Sequence, residues 1–303
     1  MSKWTETGTV YTKQISLDLI RSGGFYNGII RVSVRWIISL HTEVTVMKIL
    51  TKRLAVILTF ALVGTMLCSC KSETPKVTDT ESAKLYQTPM EALELSPEDS
   101  PEWVVQLAES TGATNQIFVI AAHEKTTAWV SLHEKDANGK WKMIMTTPGY
   151  IGMNGLGKTK EGDGMTPVGT FTFNRAFGIA DDPGCAIPYV KADDDTYWSG
   201  DTADGMHYNE LVSLKDLPNL NKDDSEHIVD YVYEYQYCLN ISYNDSGTPG
   251  AGSAIFLHCL GNRKPRTGGC VAIPMEQMYY VMQHVSPDCI VVIDSMDNLG
   301  ATF

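Results

Sequence analysis

Four things are missing from this sequence, and each narrows what the chain can be. No Cys-x-x-Cys pair occurs among its seven cysteines, so a structural zinc site is disfavoured. No apolar run reaches the ~20 residues that span a bilayer; the most apolar stretch, residues 54–66, is too short. No internal repeat is visible. Basic charge is scarce, with 24 Lys+Arg against 36 Asp+Glu and a net charge of −12. The deficit is uneven: the first 70 residues carry 8 Lys+Arg against 3 Asp+Glu, and the remainder 16 against 33. An acidic body of this kind argues against nucleic acid or an anionic membrane surface as partner, since phosphate binding needs clustered Lys and Arg.

What is present divides the chain by character. Met47-Lys48 and Lys52-Arg53 precede the apolar run 54–66, the pattern of an export signal. Leu67-Cys68-Ser69-Cys70 follows and resembles the bacterial lipobox, in which a small residue precedes a cysteine that becomes lipid-bearing. That resemblance makes 47–69 a lipoprotein signal peptide and Cys70 the lipid anchor, holding an exported protein to the membrane on the envelope side. Residues 1–46 read as an over-extended start or an unstructured leader; the rival is an amphipathic segment around 29–40. Residues 70–99, polar and rich in Thr, Ser, Glu and Pro, read as a flexible tether. A single domain is expected over 100–303, with its core at about 113–303.

That body reads as mainly β with few helices. Ser100-Pro101-Glu102 is a helix start, with Ser100 as N-cap and a stop before Gly112. Residues 116–121, 127–132 and 140–146 are short β-branched or aromatic runs, and Asn138-Gly139 is a turn signal between the last two. Thr166-Pro167-Val168-Gly169-Thr170-Phe171 leads into another strand. Residues 181–224 are acidic and turn-rich, fitting a long insertion over one end of the sheet. Strands are further expected at 228–243, 254–260 and 289–294, and a helix at 274–284.

The chemistry gathers near the C-terminus. His258 ends an apolar run, and Cys270 follows after eleven intervening residues, behind Gly268-Gly269. This spacing suits two neighbouring strands joined by one loop, bringing an imidazole within hydrogen-bond reach of a thiol. Such a partner would depress the thiol pKa and create a nucleophile. The two glycines leave room for a substrate carbonyl and offer backbone N–H groups to an oxyanion. Arg263, Lys264 and Arg266 concentrate positive charge in an acidic domain and could stabilise a thiolate or bind a substrate carboxylate. Each piece alone has a plainer reading: a core histidine, a solvated basic loop, a buried thiol. The plainer reading is kept for Cys185, Cys238 and Cys289, with a disulfide among them left open. Cys259 should face away from His258, as successive strand residues do.

Residues 258–274, with Thr267 in a Ser/Thr slot, Gly269 in a Gly slot and Cys270 in the nucleophile slot, resemble the catalytic motif of the L,D-transpeptidase (YkuD-type) domain. Gly155 with Lys158, and then residues 166–171, resemble that family's Thr-Pro-x-Gly-x-Phe stretch. Gly268 and Ala272 depart from it, standing where His and Arg or Asn are usual. The resemblance implies a β-sandwich of mixed sheets. It also implies acyl transfer on peptidoglycan stem peptides through a thioester on Cys270, in cell-wall cross-linking or remodelling. His258 would be the base, Gly268 and Gly269 the oxyanion site, and Arg263, Lys264, Arg266 and Thr267 the substrate contacts. It implies no cofactor and no metal. An L,D-carboxypeptidase or other cell-wall hydrolase using the same site, and a catalytically silent envelope-binding lipoprotein, are the alternatives.

Overall fold

A computed structural model describes residues 93–262 and 265–302, which fall in the second of two compact units, 76–303. The export signal, the lipid-bearing Cys70, the leader and most of the tether lie outside the described residues, as do Arg263 and Lys264.

The elements in chain order are β1 (Glu98–Asp99), α1 (Glu102–Thr111), β2 (Gln116–Ala122), β3 (Thr127–Lys135), β4 (Trp141–Tyr150), β5 (Gly169–Gly178), β6 (Tyr189–Lys191), β7 (Thr196–Trp198), β8 (Leu211–Ser213), β9 (Glu226–His227), β10 (Cys238–Ile241), β11 (Phe256–Cys259), β12 (Val271–Ile273), α2 (Met275–His284), β13 (Ile290–Ser295) and α3 (Met296–Leu299). The fold is mainly β, with mixed sheets and few helices.

The large sheet runs in the order β1-β4-β12-β11-β10-β5-β13-β2-β3 and returns on itself. It does so because β4 pairs along β3 and also meets β12 at Tyr150↔Ala272. β11–β12, β13–β2 and β5–β6 are parallel pairs; the other ladders are antiparallel. Alternation sorts the side chains. Phe118, Ile120, Val130, Leu132, Leu239, Leu257, Val271, Val291 and Ile293 point into one dry core. The odd residues of β2, Ile117, Val119 and Ala121, point outward under Val104 and Ala108 of α1. At roughly 1.5–3 kcal/mol for each large apolar side chain buried, this interior dominates the favourable side of folding. α2 adds Met278, Val281 and Met282 to the inner core.

Three expectations are corrected. Ser100 does not cap α1: its hydroxyl bonds His133 Nδ1 at 2.9 Å, and Pro101 occupies the N-cap position. The helix ends as expected, on Gly112 in the left-handed conformation at φ 72°. The tyrosine-rich segment 228–243 is a strand only in β10; residues Ile228–Asp230 form a 3-10 turn. Tyr231 and Tyr235 then stack at 4.5 Å, with the Tyr235 N–H bonded to the Tyr231 carbonyl, a helical spacing that partial alternation disguises. Finally, β5 and β10 are antiparallel neighbours, so the acidic insertion is the long connection of a hairpin. It carries the small sheet β8-β7-β9. It covers an outer face of the large sheet, where Trp198 and Tyr235 pack on Phe177, Cys238, Phe256 and Cys270.

Candidate active site

Strand alternation decides which side chains of β11 and β12 reach the site. Leu257 and Cys259 enter the inner core with Val271 and Ile273, which leaves Phe256, His258, Cys270 and Ala272 on the outer face. The register aligns His258 with Ala272 and Leu257 with Val271, so Cys270 flanks Phe256, one step diagonally from His258. On the other side of β11, Cys238 stands opposite His258. Cys259 thus faces away from His258, by the period-two rule alone.

The thiol and the imidazole open onto one cavity of about 1440 Å³, whose walls include Lys158, Trp198, Glu226, Tyr235 and Arg266. Both groups are nearly buried, with Cys270 8% and His258 7% exposed. Cys270 Sγ donates to the Ala254 carbonyl at 3.1 Å and accepts the Phe256 N–H at 3.4 Å. Ala254 holds a left-handed φ of 54°, with its N–H donated to Asn209 Oδ1 at 3.0 Å. His258 Nδ1 lies 2.8 Å from the Cys259 carbonyl oxygen. A carbonyl can only accept, so Nδ1 carries the proton and Nε2 keeps its lone pair. The imidazole is therefore set in the tautomer of a base.

The electrostatics correct the expectation of a depressed thiol and a hydrogen-bonded pair. Among the described residues no hydrogen bond joins Cys270 to His258. Burial pushes the Cys270 thiol up to about 12, and the Glu226 carboxylate adds to the shift; the Phe256 N–H and the Lys158 ammonium oppose it. Burial also holds the His258 imidazole below its usual range, against the Cys259 carbonyl and Glu234. Both effects have one cause, since burial penalises whichever form is charged. Burial thus favours the neutral form of both the thiol and the imidazole.

The turn before the sulfur is tightly made. Thr267 Oγ1 donates to the Cys270 carbonyl at 2.6 Å and accepts the Gly269 N–H at 3.1 Å. That occupies the Gly269 donor, whereas the N–H of exposed Gly268 donates to no acceptor among the described residues. Gly269 is required by its backbone: φ is 146°, and a Cβ there would stand 2.8 Å from the Met165 carbonyl oxygen. A Cβ on Gly268 would meet nothing within 4 Å. The two residues before this glycine pair differ in kind. Arg266 is exposed on the cavity rim, while Thr267 is stitched to residues 151–153 by backbone bonds.

Thr166, at the head of the stretch expected to lead into a strand, proves to be a support of the site. Fully buried, it donates to the Gly269 carbonyl at 2.7 Å and accepts the Gly152 N–H at 2.9 Å. Lys158 forms a buried ion pair with Asp163 at 3.1 Å. Burial works against the Asp163 carboxyl, but the N–H groups of Thr159, Met165 and Lys160, with Lys158, hold it down at about 2.

Residues 115–293 match the family model of the L,D-transpeptidase catalytic domain (YkuD). The chain belongs to that family. Among solved structures it is similar to the helical cell shape determining protein Pgp2 from Campylobacter jejuni, at 17% identity and a TM-score of 0.33, over 60% of this chain and 48% of that one. The chain thus spans about half the length of that relative. No curated protein matches it. Within the L,D-transpeptidase domain, sequence reasoning missed Glu226 and Tyr235, which reach the site from the long connection between β5 and β10. Their hydrogen bond joins residues nine apart in a segment with no catalytic motif.

Proposed function

We propose that the protein is an exported, lipid-anchored L,D-transpeptidase acting on peptidoglycan stem peptides, with Cys270 as nucleophile, His258 as its base and Cys70 as the lipid anchor. The observation that carries this reading is the geometry of His258: Nδ1–H is committed to the Cys259 carbonyl, leaving Nε2 as an acceptor on the cavity that holds the Cys270 thiol.

In the first step Sγ attacks the amide carbonyl carbon beside a terminal D-alanine while its proton passes to Nε2. The Gly268 N–H, on the open side of the turn, supports the oxyanion. The C–N bond then breaks, Nε2–H protonates the departing amine, and an acyl thioester remains on Cys270. An acceptor amine attacks the thioester, loses its proton to Nε2 and leaves a cross-link; Sγ recovers its proton. Arg266, on the rim, is placed to meet a substrate carboxylate. The chemistry calls on no cofactor.

The test is incubation of the purified protein from about residue 80 onward with muropeptides, followed by mass spectrometry. Loss of D-alanine with dimer formation supports transfer, and loss alone indicates a carboxypeptidase. An unchanged muropeptide pool, with no acyl adduct on Cys270, would point to a silent envelope-binding protein.

A further inference from the structure

The connection between β5 and β10 does more than roof the cavity. Tyr235 is buried, and its ring meets His258 edge-on at 5.5 Å and 74°. It also meets Phe256 at 5.6 Å and stacks on Tyr231 at 4.5 Å, so the ring has little freedom to turn. Its hydroxyl donates to Glu226 Oε2 at 2.6 Å. Glu226, from β9, lines the same cavity as Cys270 and His258.

We propose that Glu226 and Tyr235 are positioning residues of the site: Tyr235 holds the His258 ring, and the Glu226 carboxylate, anchored by the Tyr235 hydroxyl, shares the cavity with the sulfur and keeps it as a thiol until Nε2 takes its proton during attack. The inference rests on the reading of Cys270 as the nucleophile. The charged and titratable groups around the sulfur come from several elements. They are Glu226 of β9, Lys158 of the loop before β5, His258 of β11, Cys238 of β10 and Tyr235 itself, with Glu234 acting on His258 and Glu161 on Glu226. Burial is the larger cause of the raised Cys270 thiol, and the Tyr235 hydroxyl offsets part of the burial that raises the Glu226 carboxyl itself. Of these groups Glu226, on the same cavity wall, is the one whose negative charge adds to the shift of the thiol. Lys158 works the other way but is already paired with Asp163. The proton balance is simple: the Sγ–H bond breaks, an Nε2–H bond forms, and Nδ1–H stays on the Cys259 carbonyl. A thiol held this way avoids unproductive oxidation and alkylation, because the thiolate is the reactive form.

The experiment compares wild type, Glu226→Gln and Tyr235→Phe, each shown to be folded by its thermal transition. The rate of Cys270 alkylation by iodoacetamide is followed against pH, with the modified residue located by peptide mass spectrometry. Removing the carboxylate charge should move the Glu226→Gln profile to lower pH, with alkylation at neutral pH about tenfold faster. Tyr235→Phe should move it the same way by less, since the Tyr235 hydroxyl stabilises the carboxylate against burial. That variant should also lower kcat about tenfold with little change in KM, as a loosened base would. A Glu226→Gln profile that superimposes on wild type, or moves to higher pH, overturns the proposal. Should Glu226→Gln fail to fold, the direction of the Tyr235→Phe shift decides by the same criterion. The readout is independent of the peptidoglycan reaction: a wild-type Cys270 that alkylates yet never forms an acyl adduct with stem peptides defeats the proposed function and leaves this test intact.

Discussion

Cys259 and Cys270 lie on or beside adjacent parallel strands, both buried, and burial pushes both thiols up to about 12. One is a core residue and the other faces the candidate active site. The difference is therefore not how far each is withdrawn from water. Cys259 points among Leu257, Val271 and Ile273, and the Tyr237 carbonyl is the one hydrogen-bond partner of its sulfur among the described residues. Cys270 points to the outer face, where it lines one cavity with the His258 imidazole and the Glu226 carboxyl. Company, set by strand alternation, distinguishes the proposed nucleophile from a small hydrophobe.

The sharpest way to break this comparison is to remove the chemistry from each face in turn. Cys270→Ala should abolish acyl-enzyme formation, and His258→Ala should slow it about a hundred- to ten-thousand-fold. Cys259→Ser should leave the adduct on Cys270 intact while lowering the melting temperature, because it puts a hydroxyl into the dry core. Adduct formation that survives Cys270→Ala, measured by intact mass, would end the assignment.

Next in size are the supports behind the sulfur. Gly269→Ala forces a side chain into a φ of 146° and against the Met165 carbonyl, at a cost of about 1–3 kcal/mol of strain. Thr166→Val leaves the Gly269 carbonyl and the Gly152 N–H without their partner, costing about 1–3 kcal/mol. Both should lower urea midpoints and slow Cys270 acylation together. Gly268→Ala, one residue away, should change stability by no more than about 0.5 kcal/mol, since its Cβ meets nothing. Equal losses at 268 and 269 would refute the distinction between an open and a required glycine.

A test of burial alone lies away from the site, at His133 of β3. Burial lowers its pKa from 6.5 to about 4, and its ring nitrogens are held by the Ser100 and Ser131 hydroxyls. The unfolded chain binds the proton more readily, so stability should be full above pH 6.5 and fall as pH drops toward 4. The loss is about 3 kcal/mol across that window. His133→Gln should flatten this part of the curve of melting temperature against pH. A slope unchanged in the variant would assign it to other groups.

Much of the inner core is legible in the order of the residues. Residues 116–121 and 127–132 alternate or run apolar, and they are β2 and β3, because one face of a buried sheet demands that period. The stop at Gly112 and the helix at α2 are legible for local reasons as well. The segment 228–243 misleads because its tyrosines suit a strand by propensity, while tertiary contacts with Phe177 and Phe256 draw Tyr235 into a turn. Ser100 misleads because its hydroxyl finds His133 across the fold, a partner that no local signal announces.

The site divides along the same line. The sequence by itself determined His258, Cys270, the Gly268-Gly269 turn and the opposite facing of Cys259, all matters of short-range spacing and period. Only the tertiary structure decided that the thiol rests protonated, that Thr166 holds the Gly269 carbonyl from 103 residues away, and that Glu226 and Tyr235 arrive from the connection between β5 and β10. The physical reason is range. Alternation is dictated residue by residue by the backbone, whereas burial and electric field at a sulfur sum over every element packed around it.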